Sequence, residues 1–172
     1  MARATACFSG DSMNDLPARK RIRLEDFDYS TEGAYFITVC TANRENLFWS
    51  AVGADIIRPE NVPLSSIGNI AERGICQIHM HYKSAVVDKY CIMPDHIHMI
   101  LRITDHADGR IASAPTVSTV VGSMKRWVSR QVGKPIWQKS FYEHGIRNQR
   151  DYNEIWEYIE NNPKKYLLKR EG

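Results

Sequence analysis

Ala85-Val86-Val87-Asp88-Lys89-Tyr90-Cys91-Ile92-Met93-Pro94-Asp95-His96-Ile97-His98-Met99-Ile100-Leu101-Arg102-Ile103 is the stretch on which the fold turns. Its two halves are rich in β-branched and other apolar residues, and Pro94-Asp95 between them is a tight connection. The segment reads as an antiparallel hairpin, one strand from Ala85 to Met93 and the next from His96 to Ile103. Successive side chains of a strand point to opposite faces, so His96 and His98 share a face while Ile97 turns to the other. Two imidazoles on one rigid face make half of a metal site; on an exposed sheet the same pair can be merely solvated.

Outward from the hairpin, Ala34-Tyr35-Phe36-Ile37-Thr38-Val39-Cys40-Thr41 reads as a further strand. A turn at Asn43 to Asn46 follows, then a short strand near Leu47 to Trp49 and a loop from Gly53 to Pro63. Ser65 or Ser66 caps a helix whose apolar set, Ile67, Ile70, Ala71, Gly74, Ile75 and Ile78, recurs at three and four residues. After the hairpin, Asp105 to Pro115 is a loop, and Val117 to Val132 is a helix stopped by Gly133 and Pro135. Ile136 to Ile146 reads as a strand plus a turn. Asn148, with Asp151 three residues on, caps a last helix that is predicted to end or kink at Pro163. The order β, α, β-β, α, β and a final helix predicts an α+β fold. The natural arrangement is a ferredoxin-like antiparallel sheet with helices on one face, plus a C-terminal helix. Residues 1–18, small and polar, read as a disordered tail, and 19–172 as one domain.

Composition narrows the function classes. With 43% hydrophobic and 25% charged residues the 172-residue chain is ordinary globular protein. No run approaches the ~20 apolar residues of a membrane span, and the first residues lack a secretory h-region. Cytoplasmic residence is the expectation. Cys7, Cys40, Cys76 and Cys91 are scattered without a CxxC pair, which argues against a zinc ribbon and for reduced thiols. Net charge is only +3, but residues 123–172 hold 11 Lys and Arg against 6 Asp and Glu, whereas residues 1–122 hold 12 against 14. A basic C-terminal third fits phosphate contacts, and equally a solvated surface.

Two further features bear on chemistry. His79-Met80-His81 repeats the HxH spacing at a helix end, where i and i+2 diverge by about 200°, so these two rings read as surface residues unless the helix ends before them. Tyr158 and Asn162 are four apart on the last helix and face the same way, pairing a phenol with an amide oxygen of the kind that binds hard divalent ions.

In order along the chain stand Arg21-Ile22-Arg23-Leu24, Asp28-Tyr29-Ser30 and Gly33-Ala34-Tyr35-Phe36-Ile37-Thr38; then Met93-Pro94-Asp95-His96-Ile97-His98-Met99-Ile100; then Trp137-Gln138 and Phe141-Tyr142-Glu143-His144-Gly145-Ile146-Arg147-Asn148; then Tyr158-Ile159-Glu160-Asn161-Asn162-Pro163-Lys164. This set resembles the single-tyrosine HUH transposases, in particular the REP-associated tyrosine transposase branch, from about Arg19 to about Tyr166. HxH alone is promiscuous; the ordered set is specific.

The resemblance implies a nicking and strand-transfer enzyme acting on single-stranded DNA next to hairpins. His96 and His98 would bind Mg2+ or Mn2+ with Asn162 as third ligand. Tyr158 would be the nucleophile and form a 5′-phosphotyrosine. Free tyrosine titrates near pH ~10, so the phenol needs such help, and a divalent ion stabilises charge on the phosphate. Asp95 either orients a histidine or is a turn residue. His144 and Arg147 either lie near the site or serve packing. Arg19, Lys20, Arg21, Arg23, Lys125, Arg126, Arg130, Lys164 and Lys165 are the candidate DNA contacts, and Trp127, Trp137 and Tyr142 are stacking or core aromatics. The branch favours a monomer working in cis over a homodimer. The competing class is a non-catalytic nucleic-acid-binding domain.

Overall fold

The computed structural model describes residues 33–50, 63–104 and 115–169. The expected tail, the Arg19 to Arg23 patch and most of the two predicted loops lie outside these residues. The elements are β1 (Gly33–Cys40), a 3-10 turn (Ala42–Arg44), α1 (Ser66–Cys76), α2 (Ile78–His81), β2 (Ala85–Ile92), β3 (His96–Ile103), α3 (Val117–Val132), β4 (Tyr142–Ile146) and α4 (Gln149–Leu168). The strands form one sheet in the order β2-β3-β1-β4, every neighbouring pair antiparallel. That is the ferredoxin-like βαββαβ arrangement with a helix added at the C-terminus.

Strand alternation gives the sheet two different faces. Tyr35, Ile37 and Val39 of β1 and Ile97, Met99, Leu101 and Ile103 of β3 are fully or almost fully buried and form one core with Ala71 and Ile75 of α1 and Val120, Val121, Met124 and Val128 of α3. The opposite face carries Phe36, Thr38, His96 and His98, and α4 packs over it on β2 and β3. Two helices thus share one face and the C-terminal helix takes the other.

Helix ends follow the sequence signals. Ser65, Thr116 and Asn148 each accept a backbone N–H of the first turn through their side chains. Gly133 ends α3 at φ 80°, a left-handed cap that glycine adopts without a Cβ penalty. Three expectations are corrected. The first helix stops at Cys76, and Gln77 turns the chain into the separate α2. Leu47 to Trp49 contributes a single bridge, Trp49 to Leu64, instead of a strand. Of Ile136 to Ile146, only Tyr142–Ile146 is strand, the earlier part making one bridge from Trp137 to Thr41.

Of the two outcomes expected at Pro163, an end or a kink, the end is corrected: the residue lies inside α4. A proline there removes one helical hydrogen bond and costs about 3 kcal/mol. Tyr166 and Leu167, one turn further on, pack against the core, with the Tyr166 ring 5.4 Å from that of Trp49 in edge contact. Tertiary packing holds the turn that local propensity would release.

α1 approaches its neighbours closely at its glycines. A Cβ on Gly68 would stand 2.1 Å from the Phe48 carbonyl oxygen, whereas one on Gly122 of α3 would meet only the Arg126 guanidinium at 3.4 Å. Gly68→Ala is therefore expected to destabilise the domain by about 3 kcal/mol, and Gly122→Ala to stabilise it by up to about 1 kcal/mol. Urea unfolding of the two variants checks both signs.

Candidate active site

The start of β3 is fastened before any histidine is placed. The Met93 N–H donates to the His96 carbonyl, the Thr41 N–H to the Asp95 carbonyl, and the Phe48 N–H to the Pro94 carbonyl. The Pro94-Asp95 turn is thus held both by its own hairpin and by the chain leaving β1. In the β1–β3 ladder Thr38 lies opposite His98 and Cys40 opposite His96.

The two imidazoles converge. Their Nε2 atoms are 3.1 Å apart. Each Nδ1 has its own partner: the Asp95 carboxylate for His96, and the Thr38 hydroxyl at 2.8 Å for His98. Asp95 therefore both makes the turn and orients a histidine. Its other carboxylate oxygen accepts from Arg44 at 3.2 Å. An ionised carboxylate can only accept, so the contact with Asp95 requires a proton on His96 Nδ1, and the neutral ring then presents its lone pair at Nε2. The Thr38 hydroxyl can donate or accept, so it serves either tautomer of His98. Burial, then the nearby His96 and Arg44, push the His98 imidazole down to about 3, which keeps it neutral at physiological pH.

This pair passes a simple test for a shared cation. Ligands at about 2.1 Å and near 90° to one another stand about 3.0 Å apart, close to the observed nitrogen spacing. Among the described residues no cluster of three or more His, Cys, Asp or Glu side chains gathers to hold an ion. Further ligands would have to be an amide such as Asn162, or substrate oxygens. Cys91 lies opposite His98 on β2, and burial pushes its thiol up to about 12.

Tyr158 comes from α4, and β2 positions that helix. The ladder between β2 and β3 slips between Val87 and Lys89. This bulge turns the consecutive residues Asp88 and Lys89 to the same side. Asp88 accepts from the Tyr152 hydroxyl at 3.1 Å and from Arg102 through both carboxylate oxygens. Lys89 pairs with Glu160 at 3.2 Å and lies 4.8 Å from the Trp156 ring centre. These contacts bracket Tyr158. Its phenol oxygen lies 3.4 Å from His98 Nε2, and its ring meets Phe36 edge-on. Even so, Tyr158 is 44% exposed.

The other expected residues distribute as follows. Asn162 follows Tyr158 by one turn of α4 and is partly buried. His144 contacts Asp151 at 3.3 Å, and the Arg147 backbone N–H donates to the same carboxylate, so both serve the β4–α4 junction. Lys125 directs its ammonium to the Gln138 carbonyl at 2.8 Å, with the Lys139 and Ser140 carbonyls at 3.4 Å. Arg126 and Arg130 belong to α3, across the sheet from the histidines; Lys164 and Lys165 are exposed on α4. Trp127 and Trp137 pack against the core. His79 and His81 are exposed, as predicted. Thr38, Phe36 and Arg44 escaped sequence reading. Only strand register brings the first two to His98, and only the turn at positive φ brings Arg44 to Asp95.

Asp88→Ala should leave the Tyr152 hydroxyl without its acceptor and release the first half of α4. The expected loss is about 1–3 kcal/mol of stability in urea unfolding, with amide exchange rising in α4 ahead of β1 and β3. Unaltered exchange in α4 would refute this docking role.

No family model matches the chain. A Haemophilus influenzae protein provisionally named a REP-associated tyrosine transposase is 26% identical over 147 residues, 81% of this chain and 74% of that protein. The Escherichia coli K12 REP-associated tyrosine transposase is 31% identical over 81 residues, 46% of this chain and 45% of its own length. The fold is similar to that of a REP-associated tyrosine transposase solved with a REP hairpin, at TM-score 0.55 and 23% identity, covering 84% of this chain and 74% of that one. The named sequence relatives and the solved structure agree: this chain is similar to REP-associated tyrosine transposases in sequence and shares the fold of one.

Proposed function

We propose that this protein is a transposase that cuts and rejoins single-stranded DNA beside hairpins, with Tyr158 as nucleophile and a divalent ion, Mg2+ or Mn2+, held by His96, His98 and Asn162. One observation carries the reading. The half-exposed Tyr158 phenol oxygen lies 3.4 Å from the His98 nitrogen that also faces His96. A phosphate presented to the histidine pair therefore meets a phenol held on a docked helix, the proximity that an in-line displacement needs.

The phenol oxygen attacks phosphorus as the bond to the 3′ oxygen breaks. The 5′ phosphate is then esterified to Tyr158 and a 3′-OH is released. The phenol gives up one proton and the leaving oxygen takes one, so the step balances through solvent. In the second step a 3′-OH attacks the phosphotyrosine and regenerates the phenol. Each step exchanges one phosphodiester for another, so no nucleoside triphosphate is consumed. The ion would supply charge stabilisation on the phosphate oxygens. Thr38 and Asp95 would hold the two imidazoles in their ligand orientation, as second partners of metal-binding histidines do.

Lys164 and Lys165 stand on the same helix as Tyr158 and are proposed as phosphate contacts, with Arg126 and Arg130 across the sheet and the Arg19, Lys20, Arg21, Arg23 patch as further DNA contacts. The solved relative's hairpin supports a hairpin substrate here. A monomer working in cis belongs to the proposal. Among the described residues no helix is long and apolar enough to cross a membrane; residence in the cytoplasm, with the nucleoid, belongs to the proposal.

Covalent trapping tests the chemistry. Wild type incubated with 3′-labelled hairpin DNA from repeats flanking its gene, and with Mg2+ or Mn2+, is expected to give a protein-linked fragment on denaturing gels. Tyr158→Phe and chelator should each abolish it. Cleavage without an adduct would point to a water nucleophile, and binding with neither product to a non-catalytic module. Thr38→Val should weaken Mn2+ binding about 10- to 100-fold in calorimetric titration; unchanged affinity would remove Thr38 from the ion site.

A further inference from the structure

Among the described residues four large apolar side chains are strongly exposed: Met80, Tyr142, Tyr158 and Leu168. Two of them, Tyr142 and Tyr158, stand on the histidine face with Phe36 between them. Tyr142, Thr38 and His98 occupy one row across β4, β1 and β3. Tyr142 therefore sits two strand spacings, about 10 Å, from His98. Phe36 ties the group together. It stacks on His98 at 5.3 Å and 25°, and meets Tyr142 edge-on at 6.3 Å and Tyr158 edge-on at 5.9 Å. α4 lies over β2 and β3, and Tyr142, on the far side of β1, keeps 43% of its surface in solvent.

We infer that Tyr142, braced by Phe36, is a stacking subsite for one unpaired nucleobase of the strand whose phosphate is presented to Tyr158. This rests on the strand-cutting reading above and deepens it. Aromatic faces bind unpaired bases of any identity, because every base has a π-face. An exposed ring continuous with the candidate site has a use there that an isolated surface aromatic lacks. The other aromatic candidates, Trp127 and Trp137, are packed against the core on other elements. The subsite would hold a neighbouring nucleotide at a set distance from the phenol and so choose which phosphodiester is cut.

Binding without chemistry isolates the inference. The probe is an oligothymidylate carrying one 2-aminopurine, added to Tyr158→Phe protein without divalent ions. The expected result is quenching of the probe on binding. Tyr142→Ala in the same background should bind roughly tenfold more weakly and lose the quench, while Tyr142→Trp retains both. A Tyr142→Ala protein that binds and quenches like its parent overturns the subsite. The adduct assay reads the chemistry separately. Adducts from a protein whose probe binding ignores Tyr142 would sink the subsite and leave the chemistry. Tyr142-dependent quenching by a protein that never forms an adduct would do the reverse.

Discussion

A side chain in an antiparallel ladder has a cross-strand partner only when the register brings one opposite it, and the candidate site of this protein hangs on one such pairing, Thr38 against His98. A slip of one residue would turn both histidines into the apolar core and Ile97 and Met99 out to the other face. The slip is opposed at two levels. The fully buried row of Ile37, Val39, Ile97, Met99 and Leu101 would have to enter solvent. The bonds from Met93, Thr41 and Phe48 into the Pro94 to His96 turn would also break. The hydrophobic effect chooses the face, and a few backbone hydrogen bonds choose the row.

Given that register, the remaining pieces of the site are consequences of docking. α4 is amphipathic, but its axial position is settled by polar contacts at the β2 bulge rather than by apolar burial, since Ile159 is its one buried residue. Asp88 and Lys89 act as a pair of stops on either side of Tyr158. They hold the phenol against His98 while leaving it open to solvent, the compromise that a nucleophile meeting a polymeric substrate requires. The far end of the helix is retained past Pro163 by Tyr166 against Trp49.

The two sheet faces divide the labour. The α1–α3 face is where the domain is stable: its rows are sealed, and its helices approach within reach of glycines that tolerate no added atom. The α4 face is where polar and aromatic groups are exposed or half-exposed, with His98 as the buried exception. Burial keeps that imidazole neutral and therefore available as a donor at physiological pH, while the phenol and the Tyr142 ring keep access to solvent.

Much of this was legible in the residues. Alternation from His96 to Ile103 gave the shared face of the histidines, and the spacing of three and four in Val117 to Val132 gave α3, because both periods are properties of the local backbone. Caps at Ser65, Asn148 and Gly133 were legible for the same reason. The family resemblance singled out His96, His98 and Tyr158, and the fold brings these three together. Tertiary structure alone decided what depends on distant segments. Thr38, Phe36 and Tyr142 meet His98 by strand register, and Lys125 is engaged by carbonyls that no spacing rule places near it. α4 continues through Pro163 because packing beyond it outweighs the missing hydrogen bond. Local sequence sets which conformations are cheap for each segment; which partners face one another is set by how the segments bury their apolar sides against each other, and that is a property of the whole chain.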